Sequence, residues 1–556
     1  MKKSIKKSAA KVFTFLLCLS LLTGCSDSGS SDTTPTSAVT GTESDNSGTK
    51  DNNDDKVGNT EDGNVTATPT DDPNGSGTSD KDDNSGSQGS SGLTVQVPEA
   101  AQYTLINIEY KNKDLATSYV PGDCTSIVFS DNDVKVVGKE TEISKADGRV
   151  TVKIIKKGDY LISGSCSNGQ IIVEAGNEKD VRLILNGVNL TCTDSAPIYE
   201  KQCDKMVITL ADGSENVLSD TSEYIYDNVE KQQPDSVIFA KDDLVINGNG
   251  TLKVNSVYME GIHSTDSVKL ISGNINVNSG DNGVRGKEGV IIKGANLAVT
   301  SKGDSIRTTY SDNTSLGYVI IEGGNITLNS AKDGIQATGH IQITGGTLNI
   351  KTDGGFTQAD EDADTKSSKG IKSENNIYIT DATLNINTTD DGIKNGGNLI
   401  LAGGSVSINS EDDALKSDGS IVLTNCDLNV LKSKEGMKGK NVYIGKANVN
   451  VISESDGIKA SSKGDSGDDK VRAGDEDAFS FDSDIYVAVI SGTINIKAGS
   501  DCIDSDGNLF IAGGTITIDS PKIAENNGIS YDGNAYVTGG SVVATGVGDI
   551  RGQIEK

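Results

Sequence analysis

The sequence repeats a short cluster that combines acidic residues, a small residue, an aliphatic residue and a lysine. The stretch TTDDGIKNGG, residues 388–397, contains Asp390, Asp391 and Lys394, and SEDDALKSDG, residues 410–419, repeats the arrangement 22 residues later. Doubled carboxylates are typical ligands of Ca²⁺, a hard cation that takes oxygen ligands. Ammonium groups beside them can bind anionic ligands through charge-assisted hydrogen bonds. The cluster therefore indicates a cation site, an anion-binding surface, or both.

Counting by the aliphatic residue of each cluster extends the pattern along the chain. These residues are Ile262, Val284, Ile306, Ile335, Ile371, Ile393, Leu415, Met437, Ile458, Ile503 and Ile529. The position two residues earlier, the acidic column, carries Glu260, Asp304, Asp333, Asp391, Asp413, Glu435, Asp456 and Asp501. The position one residue later, the basic column, carries Arg285, Arg307, Lys372, Lys394, Lys416, Lys438 and Lys459, with His263 and Gln336 in the same register.

Stacked carboxylates need a counter-charge, because two of them about 5 Å apart repel by roughly 3 kcal/mol at an effective dielectric constant near 20. The basic column or bound calcium could supply it, and the sequence leaves both open. It also leaves open that aspartates here merely favour turns and lysines merely favour solvent. As candidate calcium ligands we take Asp333, Asp390, Asp391, Asp412, Asp413 and Asp456. As candidate ligand-binding residues we take Arg307, Lys372, Lys394, Lys416, Lys438 and Lys459.

The elements that must position these residues are short strands in a repeat of about 22 residues. Each repeat contains three strand-like pieces with alternating side chains, which cannot bury an apolar face until neighbouring repeats stack. We predict an all-β fold, a right-handed parallel β-helix whose coils rise by about 4.8 Å. Alternation would point Ile393 inward and Lys394 outward, and Gly392 would turn the chain so that Asp391 faces out at a corner.

The first residues of the chain indicate export. Lysines and the apolar stretch VFTFLLCLSLL precede LTGC, which ends at Cys25. This arrangement predicts a bacterial lipoprotein signal peptide over 1–24, with Cys25 as the lipidated residue. Residues 25–95 are rich in Ser, Thr, Asp and Gly and predict a disordered tether of roughly 45 Å. We therefore expect attachment to the cell membrane through the lipid alone, with the rest of the protein exposed outside the cytoplasm.

The folded part divides into two regions. Residues 96–242 form an N-terminal β region that we expect to supply the first coils of the solenoid, and 243–556 form the repetitive β-helix. Insertions at about 352–370 and 461–484 are acidic. Both should leave the coils near the edge that carries the acidic and basic columns. Because solenoids commonly place such insertions on one binding face, these two mark a candidate binding edge.

Four cysteines lie in the N-terminal region: Cys124, Cys166, Cys192 and Cys203. An exported protein can oxidise them, and spacing favours Cys192 with Cys203 as the first disulfide to consider. Buried free thiols are an equal alternative.

Composition excludes several classes of function. The chain has 556 residues and a formal net charge of −30, which argues against nucleic acid as a partner. His263 and His340 are its two histidines and form no H-x-x-x-H pair, so zinc hydrolysis and a Ser-His-Asp triad are not expected. An aromatic sugar-stacking surface is not expected either, because tryptophan is absent and the tyrosines show no evident register.

The motifs GDYLISGSCSNGQIIVEAG, VRLILNGVNLTCTDSAPIY, MVITLADGSENVLSD and IFAKDDLVINGNGTL, followed by the recurrent DGIK coils, resemble the bacterial β-helical carbohydrate-binding domain family. The resemblance covers about 130–545. It implies a pectate-lyase-like fold, a cell-surface location, calcium at acidic turns, and association with cellulose or polygalacturonate. The chain departs from the family's Asp-Asp-Gly pattern at 434–436 and 500–502, where the implied calcium sites are in doubt.

Three functions follow as hypotheses. The first is calcium-assisted, non-catalytic binding of an acidic polysaccharide. The second is a calcium-dependent pectate lyase in which Lys394 or Lys416 removes a proton from the uronate. The third is a structural surface stalk or adhesin.

Overall fold

The structure, a computed structural model, describes residues 103–221, 223–313, 315–352, 367–462, 485–521 and 528–545. All of them belong to one compact unit. The predicted signal peptide, Cys25, the tether and most of both insertions lie outside the described residues. Within the described ranges, no helix combines the length and apolarity required to span a bilayer.

Each coil of the chain contributes one strand to each of three parallel sheets. The strand Ile393–Asn395 lies in sheet 1, Leu399–Leu401 in sheet 2 and Ser405–Ser410 in sheet 3. Each strand pairs in parallel with its counterpart one coil later, so that Ile393 pairs with Leu415 and Leu399 with Ile421. The predicted parallel β-helix is confirmed.

The strands have the following bounds. Sheet 1 comprises Thr141–Ala146, Arg149–Ile154, Gly169–Glu174, Ile198–Gln202, Ser236–Ala240, Glu260–Ser264, Val284–Gly286, Ile306–Thr308, Ile335–Ala337, Ile371–Ser373, Ile393–Asn395, Ile458–Ala460, Ile503–Ser505 and Ile529–Tyr531. Sheet 2 comprises Thr125–Ser130, Asp133–Val137, Gly158–Cys166, Asp180–Thr191, Lys205–Leu210, Asp243–Gly248, Ser267–Leu270, Gly289–Ile292, Tyr318–Ile321, Ile341–Ile343, Ile377–Ile379, Leu399–Leu401, Tyr486–Val489, Asn508–Ile511 and Ala535–Val537. Sheet 3 comprises Glu215–Ser219, Thr251–Asn255, Asn274–Ser279, Asn296–Ser301, Asn325–Ser330, Thr347–Thr352, Thr383–Thr388, Ser405–Ser410, Asp427–Lys432, Ala447–Ser453, Gly492–Ala498, Thr515–Asp519 and Ser541–Thr545. Two long strands, Leu415–Thr424 and Met437–Gly445, run from sheet 1 into sheet 2.

Two antiparallel pairs close the N-terminal end of the stack. Thr125–Ser130 pairs with Asp133–Val137, and Thr141–Ala146 pairs with Arg149–Ile154. Parallel pairing begins at once beyond them, where Val150 pairs with Gly169. The N-terminal β region therefore supplies the first parallel coils, as predicted. The two hairpins cover a sheet edge that would otherwise be open to other chains.

An N-terminal strap, residues 103–116, crosses the outer face of sheet 2. Its Ile106 exchanges two hydrogen bonds with the side chain of Gln342, at 2.8 and 3.1 Å. At its other end lies the short helix Asn112–Leu115, whose Asp114 carboxylate accepts a 2.7 Å hydrogen bond from Lys205. A 3₁₀ turn, Pro121–Asp123, follows. The strap thereby connects coils that are far apart along the stack.

The interior is a continuous aliphatic core. Every member of the aliphatic column is fully buried, because the strand Ile393–Asn395 and its counterparts turn their first and third residues inward and their second outward. The disulfide considered first, between Cys192 and Cys203, is not formed. Both residues are buried free thiols, the alternative that the sequence left open. Burial raises the pKa of the Cys192 thiol to about 11, so it stays protonated and unreactive at neutral pH.

Candidate functional site

The basic column occupies the outer face of sheet 1 in the predicted register. Gln336 pairs with Lys372, and Lys372 with Lys394. The column continues through consecutive Cα partners, Lys394 with Lys416, Lys416 with Lys438 and Lys438 with Lys459. The stack therefore carries a stripe of lysines at about the strand spacing of 4.8 Å.

Most of the acidic column is buried, with Glu435 and Asp501 only partly so, which corrects the prediction that Asp391 faces out at a corner. Asp391 is 1% exposed and Asp413 is 2% exposed. The physical reason is a backbone ladder, in which a carboxylate accepts a hydrogen bond from the N–H of the same position on the next coil. Such bonds join Asp304 to Asp333 N at 3.0 Å, Asp333 to Lys369 N at 2.8 Å, Asp391 to Asp413 N at 3.3 Å and Asp456 to Asp501 N at 3.1 Å.

Gly392 serves close packing and not a turn. Its φ lies outside the left-handed region. A Cβ at this position would lie 2.5 Å from the carbonyl oxygen of Ala414 and 2.6 Å from Cγ2 of Ile408. The small residue between the two columns is therefore required because the next coil approaches too closely for a side chain.

The two columns neutralise each other within single coils. A basic side chain pairs with the acid three residues earlier in Arg307–Asp304 at 3.1 Å, Lys416–Asp413 at 3.2 Å, Lys438–Glu435 at 3.4 Å and Lys459–Asp456 at 3.1 Å. Of the two counter-charges that the sequence left open, the basic column is therefore the one in contact. Calcium stays a prediction.

Lys369 interrupts this arrangement. It stands two residues before Ile371, in the acidic column itself, and its ammonium lies 2.6 Å from Asp390 and 3.5 Å from Asp391. Sequence reasoning missed it because the acidic column was compiled from acidic residues alone, and the Ile371 coil carries a lysine at that position. Among the residues that the structure describes, Lys372 has no ion-pair partner, since the position three residues earlier is a lysine. Lys394 has no ion-pair partner among these residues either, since Asp391, three residues before it, pairs with Lys369.

The candidate calcium ligands separate into two groups. Asp390, Asp391 and Asp412 each place a carboxylate oxygen within 4.8 Å of the others. An all-oxygen set of this kind suits calcium, and neighbours on the next coils could add oxygens. Asp413 adjoins this group but pairs with Lys416. Asp333 and Asp456 lie on other coils, where their oxygens already bind backbone N–H groups or a basic side chain.

Burial sets the protonation of this cluster. It raises the pKa of Asp391 and that of Asp413 to about 6 in each case. Burial alone would also raise the pKa of Asp390, but the hydrogen bond and charge of Lys369 hold it below its ordinary value. Asp390 and Asp391, two members of the cluster, are therefore ionised for the most part at neutral pH, as a cation site requires.

An aromatic column on the outer face of sheet 2 escaped the sequence analysis. Tyr378 and Tyr443 share one register with Phe510 and Tyr536. The rings of Phe510 and Tyr536 stack with centroids 4.9 Å apart. Coils with aliphatic residues separate Tyr443 from Tyr378, which hid the register. The premise that the tyrosines share no register is therefore wrong, but Tyr443 is 2% exposed and Tyr103 stacks on Tyr378, so a sugar-stacking surface stays untested.

The chain was compared with protein families and with known proteins. A family model described as "Carbohydrate-binding domain-containing protein" matches residues 147–414 and 408–550. A protein of that description from Acetivibrio thermocellus is 40% identical over 156 residues, which span 28% of this chain and 54% of the relative. A solved structure, the gadolinium derivative of the polysaccharide lyase-like protein from C. thermocellum, aligns with a TM-score of 0.41 and 30% identity over 50% of this chain and 97% of that one. The family model covers most of the chain, which therefore belongs to the carbohydrate-binding domain family.

Proposed function

We propose that the chain is a non-catalytic surface protein that binds an acidic polysaccharide, assisted by calcium. The supporting observation is the pair Lys372 and Lys394, half-buried on adjacent coils and without an ion-pair partner among the described residues. A polyuronate carries a carboxylate on each sugar, so one chain laid along the stripe can pair with several lysines in succession. This arrangement explains how a protein of net charge −30 could bind a polyanion.

Calcium belongs to the proposal because a three-carboxylate cluster adjoins the lysine pair. Bound by Asp390, Asp391 and Asp412, it would neutralise local negative charge and offer open coordination positions to a uronate carboxylate. Lys369 occupies the same carboxylates. Binding of calcium therefore requires this ammonium to leave.

Two other lysines of the charged columns, Lys369 and Lys459, do not suit the lyase alternative, whose candidate bases are Lys394 and Lys416. A general base must be unprotonated at the working pH. Burial opposes the charge on Lys369 and Lys459, but neighbouring aspartates prevail and raise the pKa of both above the ordinary lysine value. These two lysines are therefore cationic, which suits binding of carboxylates and does not suit proton abstraction.

The full chain should be passed over immobilised polygalacturonate and over a neutral glucan, with calcium and with a chelator. We expect retention on polygalacturonate that the chelator reduces, and no ultraviolet absorbance from an unsaturated uronate product. Appearance of that product would establish the lyase. Absence of retention on both supports would favour the stalk.

A double substitution, Lys372→Met with Lys394→Met, should weaken retention on polygalacturonate about tenfold, since it removes two ion pairs of partly exposed groups. The control Lys135→Met with Lys157→Met changes the net charge equally at exposed positions near the N-terminal end of the stack. Equal loss in both variants would mean that net charge alone governs binding and would contradict the proposed site.

We also propose that Cys25 carries a lipid that holds the protein at the outer side of the cell membrane, with 25–95 as its tether. Labelling cells with a radioactive fatty acid should mark the wild type. The variant Cys25→Ala should remain unlabelled and leave the membrane fraction.

A further inference from the structure

The N-terminal end of the charged columns contains a cluster unlike the others. Asp235 immediately precedes the strand Ser236–Ala240, Glu260 and His263 lie on the next strand of sheet 1, and Arg285 lies on the strand after that. Asp235 is 4% exposed, Glu260 0% and His263 2%. Three titratable side chains are thus enclosed at one point of the stack.

The cluster has two sides. On one side, Arg285 pairs with Oε1 of Glu260 and, at 3.3 Å, with Oδ2 of Asp235. On the other side, the remaining oxygens face the Nδ1 atom of His263, Asp235 Oδ1 at 2.6 Å and Glu260 Oε2 at 3.7 Å. The Arg285 guanidinium also reaches this nitrogen, at 3.4 Å. One ligand atom from each of Asp235, Glu260 and His263 lies within 4.8 Å of the other two.

A second observation points to a missing partner. Glu260 is fully buried, yet its Oε2 atom has no hydrogen-bond partner among the residues that the structure describes. A buried acceptor without a donor costs about 1–3 kcal/mol, and more when it is charged. Two carboxylates also share one guanidinium. The unpartnered oxygen points towards the imidazole nitrogen, where a cation would satisfy both conditions.

We propose that Asp235, Glu260 and His263 bind one divalent transition-metal ion of the zinc type, independently of any polysaccharide. Two carboxylate oxygens with one imidazole nitrogen suit zinc, cobalt or manganese, whereas calcium takes oxygen ligands. Arg285 stays outside this ligand set and keeps the other oxygen of each carboxylate oriented. The site differs in donor chemistry from the all-oxygen cluster around Asp391.

The surroundings determine how the ion enters. The ring of Phe239 packs edge-on against His263, with centroids 5.1 Å apart. Arg285 is the more open member, with 24% of its side chain exposed. The ion therefore enters past Arg285 or during folding, when metal binding and ordering of the coil occur together.

The test uses the full chain. The protein is unfolded in the presence of a chelator, the chelator is removed, and the protein is refolded with Co²⁺ or with Zn²⁺. We expect about one equivalent of Zn²⁺ by elemental analysis after gel filtration. With Co²⁺ we expect visible absorption bands that report nitrogen and oxygen ligands. Less than about a tenth of an equivalent in the wild type would overturn the proposal, as would a site that takes Ca²⁺ in preference to Zn²⁺.

Variants assign the ligands. His263→Gln and Glu260→Gln should each lose at least about tenfold in affinity and lose the Co²⁺ bands. Asp304→Asn is the matched control, because Asp304 is a buried acid in the same column that pairs with an arginine and has no histidine beside it. Circular dichroism of each variant checks folding. If folded His263→Gln keeps the wild-type stoichiometry and bands, the proposal is wrong.

Discussion

At the scale of single residues, Lys369 decides the electrostatics of the candidate site. Its side chain is 13% exposed and holds Asp390 and Asp391, so it occupies the place where calcium would bind. Lys369 and the proposed calcium ion would therefore compete for the same carboxylates. The pairing of Lys369 with Asp391 leaves Lys394 without the acid three residues before it. Other coils keep that pair, as in Lys416 with Asp413.

The substitution Lys369→Met should raise the affinity of the chain for calcium about tenfold, because the competing ammonium is removed. Isothermal titration calorimetry with Ca²⁺ measures the change. Lys434→Met is the matched control, since Lys434 pairs with Asp412 at 3.2 Å but its side chain is 62% exposed, and it should change the affinity much less. An unchanged or lower affinity in Lys369→Met would remove the cluster as a calcium site.

Glu200 predicts a pH dependence of stability. Its buried carboxylate accepts hydrogen bonds from the N–H groups of Lys241 and Asp242, at 2.7 and 3.0 Å. Burial raises its pKa from the ordinary 4.5 to about 7. Between these values the folded state binds more protons than the unfolded state, so the free energy of unfolding falls as the pH rises through this window.

Glu200→Gln should make that slope shallower and stabilise the protein at pH near 8 by on the order of 3 kcal/mol, because the amide stays neutral and can still accept the two hydrogen bonds. Urea unfolding at several pH values between about 4 and 8 measures the effect. The exposed Glu411 provides a control, since Glu411→Gln should keep the wild-type slope. Parallel slopes for wild type and Glu200→Gln would contradict the prediction.

At the scale of the coil, close packing between neighbours fixes the residue type between the columns. Gly392→Ala should lower the free energy of unfolding by about 1–3 kcal/mol, because its Cβ would overlap the backbone of the next coil. Gly294→Ala is the control: its nearest neighbouring atom would lie 3.6 Å from the new Cβ, an ordinary contact. Urea unfolding compares the two, and equal stabilities would show that the coils can separate without cost.

At the scale of the whole molecule, the strap ties distant coils together from outside. The Asp114–Lys205 pair holds one end, with side-chain exposures of 0% and 4%. Tyr103 holds the other, stacked on Tyr378 with ring centroids 4.6 Å apart. The strap covers apolar outward residues of sheet 2 such as Val207 and Val245, against which Tyr110 packs.

Asp114→Ala should free the end of the strap, because it leaves Lys205 buried without its carboxylate at a cost of about 3–5 kcal/mol. Amide hydrogen exchange over 103–116 should accelerate strongly, with little change in sheet 3. Lys113→Met serves as the control, since Lys113 pairs with Asp180 from a largely exposed position. Unchanged exchange in Asp114→Ala would show that the pair does not hold the strap.

The sequence by itself determined the fold and the register. An aliphatic residue at a period of about 22 residues can be buried in one way only, by stacking coils, and alternation then places the next residue outside. For this reason Lys372, Lys394 and Lys416 could be assigned to one stripe before the structure was known. The family resemblance followed from the same motifs.

Tertiary structure alone decided what those positions do. The burial of Asp391 depends on a donor one coil away, the N–H of Asp413. Its neutralisation depends on Lys416 of that coil and on Lys369 at the end of an insertion. The approach of Asp235 to His263, 28 residues along the chain, has no local signature at all. Period and alternation specify the sheet and the face on which a residue lies. Hydrogen bonds and charges between coils decide which partners its side chain contacts.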